Sequence, residues 1–594
     1  MDSHAEARTE DPRGDRAGVA AALAVLAVVV FAVVWIDLGP IHWFHHADSL
    51  LPVLASCTKW TPFYWSQNRL GALVPLLASP FHNPLVNLFI QAGLNSFLGL
   101  LAIFLAVRYV GGRRRWIAGG AIAVLLLVCG PQQRIFNYLI AHHEYGSALG
   151  LGFAALLLLS NEDGRRGRLR LALGAGCLFS ALWVNYATAI ILGVVVVWRW
   201  LFGGSFGTDW RSLRSSGLPQ GLKFLAQKEP PKTLLMIAGF LILWLGLSLL
   251  SSHRQEYAKL NLGSSQWTAY ATLAANTWRH FLSGMLWKEW MAVFVVALVS
   301  LFSRAGRRTL RASAVAAGCL SAAAVCHFAV IGMLDWVAQW HFNPRYATTS
   351  VIMLQCALAV FAGMQWHAVL GDRKAAIATA GLVIAMAVAV VLKFGPPSPR
   401  GVRVILDKRF GTCTNDVLTS GCTHICGNYL TVWPAIFHVN MVLREQGSRR
   451  RVWGITDRSE PTQDKWRTIP MEQWKVAVPI RERPQNKVDR FIRYFKLPPL
   501  EEIERLATIQ VFKPRTGKAA SPDTAEPRHK RRNSIPAGRS FHRKTGSVLR
   551  SSAALASAPG RIPKSGKIHV ARNRNYSSDL DNRGGCLTSP RGRR

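Results

Sequence analysis

Acidic side chains are scarce in this chain. Asp and Glu number 32 against 71 Lys and Arg, and all charged residues make up only 17% of the sequence. A soluble globular chain carries nearer a quarter, so a water-solvated surface is excluded over much of the length. A signal-peptide cleavage site is also missing. The first apolar run, 18–36, is followed by no small-residue motif, so it reads as a retained helix. Zinc-type cysteine spacing is weak too, because Cys422 and Cys426 give a Cx3C pair with Cys413 as the only neighbour.

What the chain does have is apolar length. Half of its 594 residues are hydrophobic, and the mean hydropathy is +0.17. The net charge of +39 does not mark a nucleic-acid protein, because its basic residues flank apolar runs or crowd into the tail after Pro514. Runs long enough to approach a bilayer core of about 20 residues fall at 18–36, 85–107, 116–129, 147–160, 171–184, 187–198, 233–251, 291–302, 313–333, 349–368 and 375–394. Treating 171–202 as one helix would give about 48 Å at 1.5 Å per residue, far beyond a core of about 30 Å. Two helices turning near Asn185 and Tyr186 remove that excess.

Alternate loops are basic: Arg113 to Arg115, then Arg165 to Arg170, then Arg199 to Lys232, then Arg304 to Arg311, then Arg373 and Lys374. The positive-inside rule makes these loops cytoplasmic. The expectation is an all-α polytopic membrane bundle of about eleven transmembrane helices. It has a cytoplasmic N-terminus (1–17), a membrane domain (18–394) and a long first outer loop (37–84). A small extracytoplasmic α/β domain (395–514) and a disordered basic tail (515–594) follow. In the α/β domain VRVIL, RVWGI, KVAVPI and TIQVF read as strands, and 428–444 and 487–495 as helices. The tail is rich in Ser, Arg, Lys, Pro and Gly and cannot bury a core.

Polar residues gather at the ends of the runs on the outer side: His42, His45, His46 and Asp48; His142, His143, Glu144 and Tyr145; Asn343, Arg345 and Tyr346. Interfacial anchoring explains any one of them, and the histidines also suit a transition metal. Together Asp48, Glu144 and Arg345 read as a site. Asp48 suits a general base. Glu144, with His143, suits a divalent metal or the orientation of Asp48. Arg345 offers a planar fork of donors to a phosphate. Trp60, Tyr64 and Trp65 offer faces for a sugar. Cys413, Cys422 and Cys426 are expected to include one disulfide, with zinc as the rival. Cys129, Cys177, Cys319, Cys326 and Cys356 read as packing residues.

The segments HHADSLLP, HHEYGSALG, NPRYATTS and GNYLTVWPAIFH resemble the GT-C class of membrane glycosyltransferases, above all its bacterial members. The resemblance is one of architecture over most of 1–514. It implies a bacterial inner-membrane enzyme that moves a sugar from a polyprenyl-phosphate donor to an extracytoplasmic acceptor. Asp48 and Glu144 would be catalytic. His143, Arg345, Tyr346 and Trp65 would bind substrate, and Mg or Mn would sit on Asp48 and Glu144. Many such enzymes carry paired acids in the first loop, where this chain has Asp48 followed by Ser49. A transporter, a lipid flippase and a non-catalytic scaffold are the other readings of the same pattern.

The topology has a direct test. A reporter active only in the periplasm should give signal when fused after Phe394 and none when fused after Arg115 or Arg308. Silence after Phe394 would break the eleven-helix arrangement.

Overall fold

The structure is a computed structural model. It describes residues 47–58, 60–64, 67–111, 144–160, 167–202, 232–250, 265–277, 283–334, 344–370, 399–456, 469–480 and 498–515, with a few isolated positions between. In chain order the first elements are α1 (Ala47–Thr58), β1 (Phe63–Tyr64), β2 (Gln67–Gly71), α2 (Leu73–Ala78) and α3 (Pro84–Gly111). Next come α4 (Tyr145–Leu159), α5 (Gly167–Val184), α6 (Thr188–Phe202), α7 (Lys232–Leu250) and α8 (Ser265–Thr277). Then follow α9 (Ser283–Phe302), α10 (Arg304–Gly332), a 3-10 turn (Pro344–Ala347) and α11 (Thr348–Leu370). The last elements are α12 (Pro399–Thr419), β3 (His424–Cys426), α13 (Tyr429–Glu445), β4 (Trp453–Ile455), β5 (Val476–Pro479), β6 (Leu500–Arg505) and β7 (Ile509–Pro514).

Among the described residues four helices, α3, α5, α10 and α11, are long and apolar enough to cross a membrane. Shorter apolar helices occur within α4, α6 and α7. Apolar side chains on several of them face outward, as on α7 (Leu235, Ile242) and α9 (Phe294, Phe302), which suits a hydrocarbon surrounding and not water. The expected runs 18–36 and 116–129, and most of 375–394, lie outside the described residues. Two runs start well before their expected bounds: α9 begins at Ser283 and not at Met291, and α10 at Arg304 and not at Ser313, so its arginines are helical.

The bundle has two distinct ends. Helices α3 and α4 run parallel, since Ser147 of α4 bonds Asn95 of α3 and Gly150 lies against the Leu98 carbonyl three residues on. A Cβ at Gly150 would stand 2.3 Å from that carbonyl oxygen, so only glycine allows this approach. The expected reversal at Asn185 is present. Trp183, at the close of α5, lies against Gly71 of β2, ahead of the start of α3. Arg199, near the close of α6, stacks 4.6 Å over the ring of Tyr109 at the far end of α3. Asn185 fixes the turn by accepting from the Ala187 amide at 3.1 Å. The exposed arginines 168, 170, 199, 304, 307, 308 and 311 belong to this far end or to helix segments leading from it.

The α/β domain has a five-stranded sheet in the order β4-β3-β5-β7-β6. Strand β3 is parallel to β4 and β5, and β7 is antiparallel to β5 and β6. Helix α13 makes the crossover from β3 to β4 that a parallel pair requires. Its N-cap is Asn428, whose Oδ1 accepts from the Leu430 amide at 2.9 Å. RVWGI, KVAVPI, TIQVF and the helix after Asn428 therefore form as expected, and 487–495 lies almost wholly outside the described residues. VRVIL does not form a strand. It opens α12, because Val402, Leu406, Phe410, Cys413 and Val417 keep a helical period that packs on one core.

That core is shared across the chain. Leu50, Leu51 and Leu54 of α1, Leu88 and Ala92 of α3, and Trp433, Ile436 and Phe437 of α13 pack in one cluster with Ile425 and Val511 of the sheet. A polar group then ties α12 to α13. Arg403 donates to Asp407 (2.6 Å), Glu445 (2.8 Å) and Nε2 of His438 (2.8 Å), while Thr414 meets Nδ1 of His438 at 2.7 Å. Burial, then the Arg403 charge, hold His438 below its ordinary value, and the Asp407 carboxylate opposes them. Nε2 also lies 3.0 Å from Oδ1 of Asp407, so the ring meets Arg403 as an acceptor or Asp407 as a donor according to its tautomer.

The expected disulfide is overturned. Cys413, Cys422 and Cys426 are all reduced thiols. Cys422 joins the core on the α12–α13 side of the sheet, whereas Cys426 faces Trp474 and Phe512 on the other. Cys422 precedes β3, while Cys426 lies within it and points to the face opposite Ile425, so the two thiols sit in different clusters. Burial pushes the Cys422 thiol up to about 11, against smaller opposing effects of Ser420 and Lys475. Iodoacetamide at pH 8 should therefore label Cys422 at least about 100-fold more slowly in the folded protein than after denaturation. A disulfide-linked peptide from protein kept unreduced would contradict this.

Candidate functional site

The first loop is fastened to α3 by side chains that have no water to turn to. Asn87, Gln91 and Asn95 recur every four residues, so they form one stripe on an otherwise apolar helix. All three are buried. Gln91 donates to Oδ1 of Asn87 at 2.7 Å and to the Pro52 carbonyl at 3.3 Å. The Asn87 amide reaches Ser56 Oγ (2.9 Å) and the Ala78 (2.8 Å) and Phe81 (3.0 Å) carbonyls. Ser56 in turn donates to the Pro75 carbonyl at 2.8 Å. Asn95 accepts from Ser147 of α4 at 2.6 Å. Leaving any of these groups unpaired would cost about 1–3 kcal/mol, so α1, α2 and α4 are held to one helix face.

The short hairpin β1–β2 sits within this frame. Trp60 closes it by donating from Nε1 to the Ala72 carbonyl at 2.9 Å. Its Tyr64 reaches Glu144, 80 residues later, and donates its hydroxyl proton to Oε1. Glu144 stands at the N-cap of α4 but does not use its side chain as a cap. It is 1% exposed, and its second oxygen, Oε2, is buried with no hydrogen-bond partner among the described residues. Burial raises the Glu144 carboxyl well above the ordinary range, and the Tyr64 hydrogen bond pulls the other way. The protonated acid is favoured, and in that form Oε2 is a hydrogen-bond donor.

The other expected site residues are placed unequally. Asp48 is the second residue of α1, and Arg345 lies in the 3-10 turn before α11. The side chains of both lie outside the described residues, as do His143 and Trp65 entirely. Tyr346 is 7% exposed and packs in a cluster with Ala187, Ile331 and Leu334. Ala187 follows the turn after Trp183, and Trp183 lies against Gly71 of the hairpin that carries Tyr64. Tyr346 and Glu144 therefore belong to the same end of the bundle, linked through that hairpin and turn. This end is opposite the one from which the exposed arginines lead.

Among the described residues no three His, Cys, Asp or Glu side chains come together as a metal-binding group. Glu144, buried and tied to Tyr64, is poorly suited to Mg or Mn while it keeps its proton. Two features escaped the sequence reading. The α3 stripe was visible as Asn87, Gln91 and Asn95 at i, i+4 and i+8 in an apolar run. The bond from Tyr64 to Glu144 had no sequence signal, since Tyr64 reads equally well as a stacking surface. A further buried pair, His327 Nδ1 and Ser350 Oγ at 2.8 Å, joins α10 to α11.

Glu144 generates a pH prediction. Its folded value lies above its unfolded one, so its contribution to stability is full below about pH 4.5 and is lost as pH rises through the folded value. Glu144→Gln cannot ionise and should flatten that decline, giving a higher melting temperature than wild type at pH 8. Tyr64→Phe should lower stability by about 1–3 kcal/mol, since it leaves Oε1 unpaired. Thermal unfolding of the purified protein between pH 5 and 8 reads both. An unchanged pH slope in Glu144→Gln would remove the carboxyl from the account.

Comparison with family models, with curated proteins and with solved structures finds no match to this chain.

Proposed function

We propose that the chain is a membrane glycosyltransferase. It transfers a sugar from a polyprenyl-phosphate donor to a hydroxyl acceptor at the outer face of a bacterial inner membrane. The observation that carries this reading is Glu144: a buried acid with one oxygen unpartnered among the described residues, held by the first loop at a helix end. A donor with a phosphate next to hydrocarbon needs a site that offers hydrogen bonds without adding negative charge. A protonated Glu144 does that, and an ionised one would repel the phosphate.

Asp48 takes the proton from the acceptor hydroxyl as it attacks the anomeric carbon. Arg345 binds the departing phosphate, which leaves as an anion and needs no proton. Tyr346, His143 and Trp65 complete the sugar's surroundings. No step is drawn through Mg or Mn, because Glu144 as described does not suit one. Placement of the site at a bundle end also fits a lipid substrate, whose tails fix its phosphate near the interface. The N-terminus is then cytoplasmic and the α/β domain periplasmic.

A buried protonatable carboxyl also favours a second reading, a proton-coupled transporter. One pair of experiments separates them. In nanodiscs, a polyprenyl-phosphate hexose with a radiolabelled sugar should lose that sugar to an alcohol acceptor or to water. Asp48→Asn should lower the rate about 10²- to 10⁴-fold. Glu144→Gln keeps an N–H donor and should stay within about tenfold of wild type, whereas Glu144→Ala should fall further. A rate unaffected by Asp48→Asn would sink the transferase reading. Proton flux into proteoliposomes that Glu144→Gln abolishes would establish the transporter instead.

A further inference from the structure

We infer that the N-terminal turns of α10, together with the outward face of α9, form a binding site for an anionic phospholipid of the bilayer. Arg304, Arg307, Arg308 and Arg311 stand at i, i+3, i+4 and i+7, so they line one face of α10, and all four are exposed. They form no ion pair with the described residues. The first turn holds no acid, and none occurs in the sequence between Glu289 and Asp335.

This is an unfavourable place for four cations. A helix N-terminus is the positive end of the macrodipole, where anions are stabilised and cations are not. Like charges three and four residues apart also repel. The geometry around the stripe is nevertheless firmly built. Ser303 is the only residue between α9 and α10, and its Oγ accepts from the Gly306 amide at 3.3 Å. Gly306 itself lies so close to Ser300 that a Cβ would stand 2.4 Å from its carbonyl oxygen. Arg307 spans the turn by donating to the Leu301 carbonyl at 2.7 Å.

Charge complementarity calls for phosphate at this turn, and the neighbouring surface says which kind. Met291, Phe294, Val295, Leu298 and Phe302 follow the same i, i+3, i+4, i+7 spacing on α9 and are exposed by 43, 61, 51, 43 and 81%. That apolar stripe ends at Phe302, two residues before Arg304 in the sequence. A soluble polyanion would neutralise the charge and leave the stripe bare. A phospholipid covers both, its headgroup against the arginines and its chains along α9. This inference is independent of sugar transfer and needs only that the helices lie in a bilayer.

Native mass spectrometry of the full chain released from detergent tests it, with phosphatidylglycerol and phosphatidylcholine as probes. Phosphatidylglycerol should be retained preferentially. The variant R304Q/R307Q/R308Q/R311Q should lose that preference, by about fivefold for each arginine removed. R168Q/R170Q, which changes exposed arginines on α5, should keep it. An unchanged melting temperature in detergent alone shows that the variant folds. Equal retention of the two lipids by wild type, or preference kept in the fourfold variant, would overturn the inference. So would displacement of phosphatidylglycerol by a short single-stranded DNA that binds the same four arginines. Failure of every form to retain either lipid would count against the bilayer reading itself.

Discussion

A polar side chain inside an apolar helix bundle has to be satisfied by another part of the same chain. Most of what is distinctive here follows from how α3 meets that requirement. Its stripe of Asn87, Gln91 and Asn95 cannot turn to water, so it collects carbonyls and hydroxyls from α1, α2 and α4. Van der Waals packing alone would leave the first loop free to slide over an apolar face. Directed hydrogen bonds fix its register, and so fix the hairpin from which Tyr64 reaches Glu144.

The site depends on that register in an unequal way. Glu144 belongs to a helix that packs parallel to α3, so its backbone is positioned by the bundle. Its chemistry is set by the loop, because Tyr64 occupies one carboxyl oxygen and leaves the other. The Asp48 helix is also held by the core it shares with α3 and α13. A membrane bundle, a loop and a sheet-bearing domain thus each contribute one wall or one anchor to the same end of the molecule.

Legibility in the sequence followed the length scale of the signal. Apolar runs are averages over many residues, and among the described residues they marked the positions of α3 to α7 and α9 to α11 and the turn at Asn185. RVWGI, KVAVPI and TIQVF are short β-branched runs bounded by breakers, and they form strands. VRVIL looks the same over five residues, yet its helical period emerges only when Phe410, Cys413 and Val417 are included. Proximity of Cys422 and Cys426 in sequence suggested a bridge, but Cys422 lies in the turn before β3 and packs on the helix side, while Cys426 within the strand faces Trp474 and Phe512. Glu144 was visible as an acid at a helix end. Its partner was not, because a contact across 80 residues is a property of the fold and leaves no local pattern.

The shared core has a consequence for the order in which the molecule can be completed. Helix α1 emerges from the ribosome about 370 residues before α13, its main packing partner. At about 5–20 residues per second that is a wait of roughly 20 to 70 seconds. Through that interval Leu50, Leu51 and Leu54 have no α13 to cover them, and α3 offers only part of their eventual surroundings. The growing chain must shelter them elsewhere, and a bilayer surface is the apolar phase at hand. Maturation of the site is then a late event, in which α1 exchanges lipid for Trp433 and Phe437 only after about three-quarters of the chain has been made.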